Sequence, residues 1–360
     1  MNTARYFNRC VFTNEDKYSP FISDFKSEDF DERFLDPNFI PRPLVTPFRD
    51  VRLAKPEEYC DHSILKRKPE IEGDYDEFVH QLGVALWNHL LTLDDDEKYL
   101  FSHSSGMDSR FISGTMAGIR RSGLKSFSNV HFRCHAPENS VFKKIMKAEG
   151  WPEDQWSTFD PNDSCYDIGR PDINVNGWCS YSNQMNYWPD LNPKEWILIT
   201  GEGGELFKYI ALHPEAPTKY CDNYCMDMLI EHNPGNGEWD NQNALIFKDT
   251  IMPLWSYDYL QVSNAVRPEW VTCDRSTGWD NIRTDLVKSV GLGGFQYVVN
   301  DYLVSWKINN FRRESMNDQF YSSRFYKKYK KKLRRDIDFF TNPFGWESKL
   351  WGFAVTVYPK

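Results

Sequence analysis

The chain has 360 residues, enough for one large or two ordinary domains with a sizeable buried core. Its 52 acidic and 43 basic residues give a formal net charge of -9, which argues against a broad surface for nucleic acid or anionic membranes. Hydrophobic residues make up 40% and charged residues 26% of the chain, a balance that indicates a globular protein and not a disordered one.

Targeting signals and cysteine spacing also limit the possibilities. No run of about twenty apolar residues is present, so we predict no membrane span, and the N-terminal stretch MNTARYFNRC lacks the apolar core of a signal peptide. The 8 cysteines are dispersed, and the close pair Cys221 and Cys225 has no second pair beside it to complete a zinc site. These features predict a cytoplasmic protein with reduced thiols.

The first 70 residues differ in composition from the rest of the chain. They are rich in proline, aspartate and phenylalanine, as in DPNFIPRPLVTPFRD. Such a composition predicts an irregular segment over 1–70 that wraps around the remainder and contains short strands.

Regular elements are predicted from Asp74 onwards. Apolar residues recur at helical spacing from Asp74 to Leu91, and the stretch KYLFS that follows predicts a short buried strand. A second helix is predicted from Ser109 to about Gly123, where the glycine is a plausible stop.

A second strand and a third helix come next. The strand is predicted over Ser126–Phe132, the helix ends at Gly150, and WILIT, residues 196–200, predicts a third strand. Strands that alternate with helices at this spacing predict an α/β fold with a parallel sheet flanked by helices. We place this core over 71–215 and a mainly helical part over 216–360.

The stretch SHSSGMDSR, residues 102–110, lies between a predicted strand and a predicted helix. A helix start presents unpaired N–H groups and the positive end of the helix dipole, which favour an anion. Gly106 lets the backbone approach a ligand or take a positive φ. Because Asp108 would repel a bare phosphate, it indicates Mg²⁺ between carboxylate and phosphate. An ordinary capped turn is the alternative, since Ser and Asp are common at helix starts.

A second turn of this kind follows the strand WILIT. The stretch LITGEGGELF contains Gly201, Gly203 and Gly204, which permit a tight turn with exposed amides. Glu202 and Glu205 add carboxylates at the same predicted edge of the sheet. Two such turns on neighbouring strands favour a phosphate-binding site over two unrelated turns.

Together the two stretches resemble a known family over residues 72–210. SSGMDS is similar to the S-G-G-x-D-S loop of the N-type ATP pyrophosphatases, or PP-loop proteins, and GEGGELF is similar to the G-E-G-x-D-E-L-F stretch of their asparagine synthetase branch. The resemblance implies an adenine nucleotide alpha hydrolase-like fold. It also implies an Mg-ATP-dependent amide ligase that adenylates a small carboxylate, releases pyrophosphate, and forms an amide when ammonia or an amine displaces AMP.

The resemblance assigns roles to individual residues. Nucleotide binding falls to residues of the two turns: Ser102, Ser104, Ser105, Gly106, Asp108, Ser109, Gly201 and Gly203. Mg²⁺ would be bound by Asp108 and Glu205, and Glu202 would lie beside the acyl group as a general base. A basic residue from the C-terminal part would stabilise the developing charge, and Lys330 and Lys307 are the two catalytic candidates for this role.

The chain also departs from the family pattern. Ser105 stands at the second residue of the loop, where the family has glycine, which is compatible with the fold if that position needs no positive φ. The second stretch is one residue short and lacks the aspartate before Glu205, a second Mg²⁺ ligand in the family. Arg110 stands where a small residue is usual, and either reaches phosphate or lies on a solvated helix face. Asn2 replaces the family's nucleophilic cysteine, and 70 residues are too few for a glutaminase domain, which predicts ammonia or a substrate amine as the nucleophile.

Two other functions remain open. Relatives of this loop adenylate nucleobases, and the basic run Arg324–Arg335 would offer a contact for nucleic acid, although most such runs are solvated helix faces. The departures at Ser105 and before Glu205 favour instead a degenerate relative that binds a nucleotide without turnover. His103 and His135 lie near the same edge of the sheet and either contact phosphate or are structural.

Overall fold

A computed structural model describes residues 11–14, 16–19, 24–25, 29–36, 45–54, 58, 73–135, 138–159, 191–204, 207, 247–274, 279–295, 318–333 and 354. The centre of the molecule is a five-stranded sheet in which every neighbouring pair of strands is parallel. Helices pack on this sheet, so the chain has the predicted α/β fold. No helix within the described ranges is long and apolar enough to cross a membrane.

Short elements make up the described N-terminal residues. Strand β1 (Phe12–Thr13) pairs antiparallel with β2 (Tyr18–Ser19) and with β3 (Arg52–Leu53). A 3-10 helix over Glu32–Leu35 follows Asp31, whose carboxylate accepts the N–H of Arg33. Strands of two residues cannot bury a core of their own, so this part depends on packing against other elements.

Helices and strands alternate through the middle of the chain. They are α1 (Tyr75–Leu91), β4 (Tyr99–Ser102), α2 (Met107–Arg121), β5 (Val130–His135), α3 (Asn139–Glu149), a 3-10 helix (Glu153–Gln155) and β6 (Trp156–Phe159). Helix α1 begins after Asp74, whose side chain accepts the N–H of Glu77, and α3 ends at Gly150 in the left-handed conformation. Both ends agree with the predicted helix bounds, and their caps are of the usual kinds.

The remaining described elements complete the sheet and add helices. They are β7 (Ile197–Ile199), β8 (Asp249–Ile251), α4 (Tyr257–Ser263), β9 (Cys273–Asp274), β10 (Trp279–Asp280), α5 (Asn281–Ser289) and α6 (Arg324–Tyr329). Strands β9 and β10 pair with each other. Further 3-10 helices span Pro193–Glu195, Pro253–Trp255 and Pro268–Trp270.

The strand order reverses beside β4. The order is β6-β5-β4-β7-β8, so the chain moves outward in one direction from β4 to β6 and in the other direction with β7 and β8. The register sets Tyr99 beside Ile197 and Phe101 beside Ile199. In open parallel sheets, ligands bind beyond the carboxyl ends of the strands at such a reversal. The two predicted turns therefore lie on neighbouring strands, as expected, and at this position.

The main core lies on one face of the sheet. Alternate strand residues, such as Tyr99 and Phe101, join apolar side chains of α1 to α5 in one large cluster. Leu100 and Leu198 belong to the opposite face, where they pack with Phe247. Strands β4 and β7 are therefore packed on both faces, which fixes the position of the turns that follow them.

A second cluster joins the N-terminal residues to α6. It contains Phe12, Phe25, Phe30, Phe34, Leu35, Phe48, Val51, Leu53, Phe320, Phe325, Tyr329 and Ala354. The ring of Phe30 lies 5.3 Å from that of Phe325 and 4.9 Å from that of Tyr329. The segment over 1–70 and the end of the chain thus share one core.

Two strands of the sheet were not predicted. They are β6 and β8, and β8 lies beyond residue 215, so the predicted core boundary divides the sheet. The strand predicted over Ser126–Phe132 is also displaced and runs over Val130–His135. Phe127 takes a positive φ of 53° in the turn before it, which excludes that residue from a strand.

Candidate functional site

The two predicted turns contact each other at the carboxyl edge of the sheet. A side chain on Gly201 would place its Cβ 2.9 Å from Ser109 Oγ, and one on Gly204 would place it 1.8 Å from Asp108 Oδ1. Glycine is needed at both positions because the second turn lies directly against the first turn of α2. The residues predicted as two parts of one phosphate site are therefore brought together.

Gly203 lies against Trp255 and not against the first turn of α2. Its φ is +101°, and a Cβ there would lie 2.1 Å from Nε1 of Trp255, in the 3-10 helix that follows β8. Trp255 is buried, and its indole packs on the turn. Sequence reasoning missed this residue, because nothing local links Trp255 to a turn some fifty residues earlier.

Hydroxyl groups surround the start of α2. The oxygens Ser104 Oγ and Ser109 Oγ are 3.2 Å apart, and the N–H of Gly106 donates to Ser104 Oγ at 3.3 Å. Gly106 is the N-cap and has no side chain to cap the helix. The first turn of α2 therefore combines amide groups, two hydroxyls and the positive end of the helix dipole, a set that suits an anion.

Ser105, and not Gly106, takes the left-handed conformation. Its φ is 54°, whereas Gly106 is extended with φ -67°. The Ser105 hydroxyl donates to the backbone carbonyl of Glu138 at 3.4 Å, so it does not cap the start of α2. The condition under which serine would fit this position is therefore not met, because Ser105 does have a positive φ, and its hydroxyl is hydrogen-bonded to Glu138.

Replacing Ser105 by glycine should therefore stabilise the protein. The left-handed conformation costs a non-glycine residue roughly 1–2 kcal/mol, so we expect Ser105→Gly to raise the free energy of unfolding by about 1 kcal/mol. Ser105→Ala keeps the Cβ and loses the hydroxyl, and it should give no gain. Urea unfolding of the three proteins measures both effects. A gain in the alanine variant equal to that in the glycine variant would contradict backbone strain as the cause.

Arg110 has neither of its two predicted roles. Its side chain is buried, with Nε donating to the carbonyl of Ser105 at 2.8 Å and Nη1 to the carbonyl of Phe295 at 2.6 Å. It therefore fixes the carbonyl of the strained loop residue. The guanidinium also interacts with the carboxyl group of Glu138. Burial raises the pKa of Glu138 to about 8, although the positive charge of Arg110 opposes that change.

His103 is a structural residue that orients the loop. Its Nδ1 accepts the N–H of Ser105 at 3.1 Å, so its proton is on Nε2, which lies 3.0 Å from Ser113 Oγ. Burial, together with the charge of Arg110, lowers the His103 pKa to about 3. The ring is therefore neutral at physiological pH, and it holds the backbone amide of Ser105.

The hydrogen bonds continue from His103 to a buried carboxyl group. Ser113 Oγ donates to Glu149 Oε1 at 2.7 Å, and Trp151 Nε1 donates to Glu149 Oε2 at 2.5 Å. Burial raises the Glu149 pKa to about 8, although both hydrogen bonds oppose that change. The loop is thus supported from inside the core by groups that the sequence did not single out.

Asp108 lies beside a cation that sequence reasoning also missed. Arg283 of α5 places Nη1 3.4 Å from Asp108 Oδ2, and its Nε donates to Asp280 Oδ2 at 2.6 Å. Asp280 is fully buried, whereas 22% of the Asp108 side chain is exposed. Asp108 is the most exposed of the three charged side chains, and it lies where the two turns meet.

One described carboxylate of the predicted magnesium site, that of Asp108, lies at the helix start. Among the described residues, no group of three or more His, Cys, Asp or Glu side chains could hold a metal on its own. Mg²⁺ needs no such cage, since it is usually bound by one or two carboxylates together with substrate phosphates and water. Asp108 supplies one carboxylate at the helix start, while Glu205 lies outside the described residues.

The other predicted site residues are placed as follows. Ser102 ends β4 beside Arg133, at the carboxyl edge, and Glu202 is a partly exposed residue of the turn between Gly201 and Gly203. Lys307 lies outside the described residues.

Lys330 is exposed at the end of α6. Its described contact is the backbone hydrogen bond to Tyr326, and the neighbouring Lys332 pairs with Glu32 of the N-terminal part. The described part of the basic run therefore lies on the second cluster. No described contact joins Lys330 to the loop around Asp108.

Comparison with known proteins adds no assignment. No protein-family model matches the chain, and no curated protein matches it either. A function for the site therefore has to come from its geometry and chemistry.

Proposed function

We propose that the chain binds Mg-ATP at the carboxyl edge between β4 and β7 and acts as an AMP- and pyrophosphate-forming amide ligase of the PP-loop type. The observation that carries the proposal is the contact between the two turns, in which a Cβ added to Gly204 would lie 1.8 Å from Asp108 Oδ1. Two glycine turns packed around one carboxylate at the strand-order reversal form a place where phosphates can approach the backbone.

The helix start would bind the phosphates. Ser104 and Ser109 offer hydroxyls 3.2 Å apart, and the uncapped first turn of α2 adds the helix dipole. Mg²⁺ held by Asp108 would neutralise phosphate charge during cleavage between the α and β phosphates. Because Arg110 and His103 hold the backbone of Ser105, the loop would be positioned before the nucleotide binds.

The second turn would face the reacting carboxylate. Glu202 lies between the two glycines that touch Ser109 and Trp255, and it is partly exposed. It would accept a proton from the amine that attacks the adenylated carboxylate, and AMP would leave. The acyl and amine substrates are expected to be small, since the carboxylate must reach an edge already occupied by ATP.

Nucleotide binding without turnover is the second candidate. The observation in its favour is the ion pair between Arg283 and Asp108, because a guanidinium already compensates the carboxylate that would hold Mg²⁺. The two candidates share the binding site and differ in the products formed.

Replacing Asp108 should abolish magnesium-dependent binding. An ATP analogue with a methylene group between the α and β phosphorus atoms should bind the wild type in the presence of Mg²⁺. We expect Asp108→Ala to weaken that binding about tenfold or more, as for the loss of a charge-assisted contact. Titration calorimetry with and without Mg²⁺ gives the result.

Asp258→Ala is the matched control for this experiment. Asp258 is an exposed acidic residue in the first turn of α4, a position comparable to that of Asp108 in α2. Its replacement should leave analogue binding unchanged. Equal affinity in Asp108→Ala and wild type would refute the assignment of the loop. Formation of AMP and pyrophosphate from ATP with a panel of small carboxylates and ammonia would favour the ligase, whereas binding with ADP as the sole product would exclude it.

A further inference from the structure

Arg283 is a buried cation that lies beside Asp108 of the predicted phosphate loop. It lies in the first turn of α5, which packs against α2, and only 9% of its side chain is exposed. Its backbone N–H donates to Asp280 Oδ1 at 2.8 Å and its Nε to Asp280 Oδ2 at 2.6 Å. The Arg283 side chain is thus held by Asp280 at Nε and contacts Asp108 through Nη1.

The two carboxylates are held by Arg283 to different degrees. Asp280 is fully buried and closely bound, whereas Asp108 is partly exposed and lies 3.4 Å from the guanidinium. Hydrogen bonds between charged groups are normally about 2.7–2.9 Å long, so the contact with Asp108 is the weaker one. Of the two partners, Asp108 is the one that an anionic ligand at the loop could replace.

The other candidates for a positive charge at the loop are less well placed. The guanidinium of Arg110 already donates hydrogen bonds to the carbonyls of Ser105 and Phe295. Lys330 is exposed on α6, which packs against the N-terminal part. Arg283, in contrast, contacts the side chain of Asp108 through its charged group.

We propose that Arg283 is the phosphate-neutralising residue of this site and that it exchanges partners. Before nucleotide binds, its guanidinium compensates Asp108. When Mg-ATP enters, Mg²⁺ takes over Asp108 and the guanidinium contacts a phosphate oxygen. This inference rests on the proposed function, and it assigns to Arg283 the role that the sequence suggested for Lys330 or Lys307.

The exchange makes Arg283 a competitor of Mg²⁺ for Asp108. Removal of its charge should therefore have two opposite effects. Binding of the methylene ATP analogue without Mg²⁺ should weaken, because the phosphates lose a cation. The Mg²⁺ concentration needed for half-maximal analogue binding should decrease, because Asp108 no longer has another cation beside it.

The variants must avoid a buried unpaired carboxylate. Arg283→Gln alone would leave Asp280 without its cation in the core, which is strongly destabilising. The test therefore uses the double variant Asp280→Asn with Arg283→Gln, in which asparagine can still cap α5. Arg283→Lys keeps the charge. Lys288→Gln is the matched control, since Lys288 is an exposed residue of the same helix and pairs with Asp285.

Calorimetric titration of the analogue at several Mg²⁺ concentrations gives the outcome. In the double variant we expect about tenfold weaker binding without Mg²⁺ and an about threefold lower Mg²⁺ requirement. Arg283→Lys should retain most of the wild-type affinity for the analogue without Mg²⁺, and Lys288→Gln should bind the analogue as the wild type does. Thermal unfolding establishes that each variant is folded before it is titrated.

The two proposals fail in different ways. Absence of analogue binding to the wild type at every Mg²⁺ concentration would overturn the proposed function. Normal binding to the wild type with an unchanged Mg²⁺ requirement in the double variant would overturn the role of Arg283 alone. A rise in the Mg²⁺ requirement together with weaker binding would also overturn it, because a general distortion of the loop predicts both losses.

Discussion

Gly203→Ala is expected to lower the free energy of unfolding by about 3 kcal/mol, the larger of the two backbone effects predicted for this site. The new Cβ would lie 2.1 Å from Trp255 Nε1, and the backbone has a φ of +101°. Trp255 is a buried member of the main cluster, so the indole cannot move aside without opening the core. Urea unfolding, followed by circular dichroism, measures the loss.

Gly291→Ala is the control that separates backbone strain from the close approach of the new Cβ of Gly203→Ala to Trp255. Gly291 has a φ of +82°, and a Cβ there would have no neighbouring atom within 4 Å, so only the backbone conformation opposes the change. We expect a loss of about 1 kcal/mol there. If both variants lose the same stability, the close packing of the second turn on Trp255 is refuted.

Glu149→Gln should remove a large pH dependence of stability. Burial raises the Glu149 pKa in the folded protein from 4.5 to about 8. Between these pH values the unfolded chain releases a proton that the folded protein keeps, so wild-type stability falls as pH rises and levels off above the higher pKa. Glutamine does not titrate, its carbonyl can accept from Trp151, and its amide can donate to Ser113. We expect the variant to be more stable than wild type by on the order of 3 kcal/mol at about pH 9, and closest to it at about pH 5.

Glu153→Gln is the control for this titration. Glu153 is an exposed residue of the 3-10 helix before β6, so its replacement should leave the wild-type pH dependence in place. Denaturant titrations across this pH range compare the three proteins. A parallel pH dependence in Glu149→Gln and wild type would contradict a buried, protonated Glu149. Glu138, whose pKa is raised to about 8, should retain its own contribution in every variant.

Local sequence was sufficient for the elements that build the edge of the site. Helix α1 was predictable because Asp74 caps it and apolar residues recur every third or fourth position up to Leu91. Strand β4 and the start of α2 followed from an apolar run and a serine-rich turn. Strands β6 and β8 were missed because WSTF and DTI are short and contain few apolar residues.

The contacts within the site were less predictable because they join distant parts of the chain. Arg283 and Asp108 are separated by 175 positions, and only the local pair of Asp280 with Arg283, three residues apart, is visible in the sequence. The positive φ of Ser105 was not expected, since the adjacent Gly106 is the more permissive residue. Its conformation depends on His103 and Arg110, which hold its amide and its carbonyl in the core.

The strand order has a consequence for synthesis of the chain. Strands β4, β5 and β6 emerge from the ribosome well before β7, which pairs with the other side of β4. Until β7 arrives, β4 is an uncovered edge whose residues Tyr99, Leu100 and Phe101 are buried in the finished protein. An apolar edge of this kind can pair with another chain, so β4 is prone to aggregation in the nascent protein until the β4–β7 pair forms. The same strand pairing that brings the two turns together therefore also covers the apolar edge of β4.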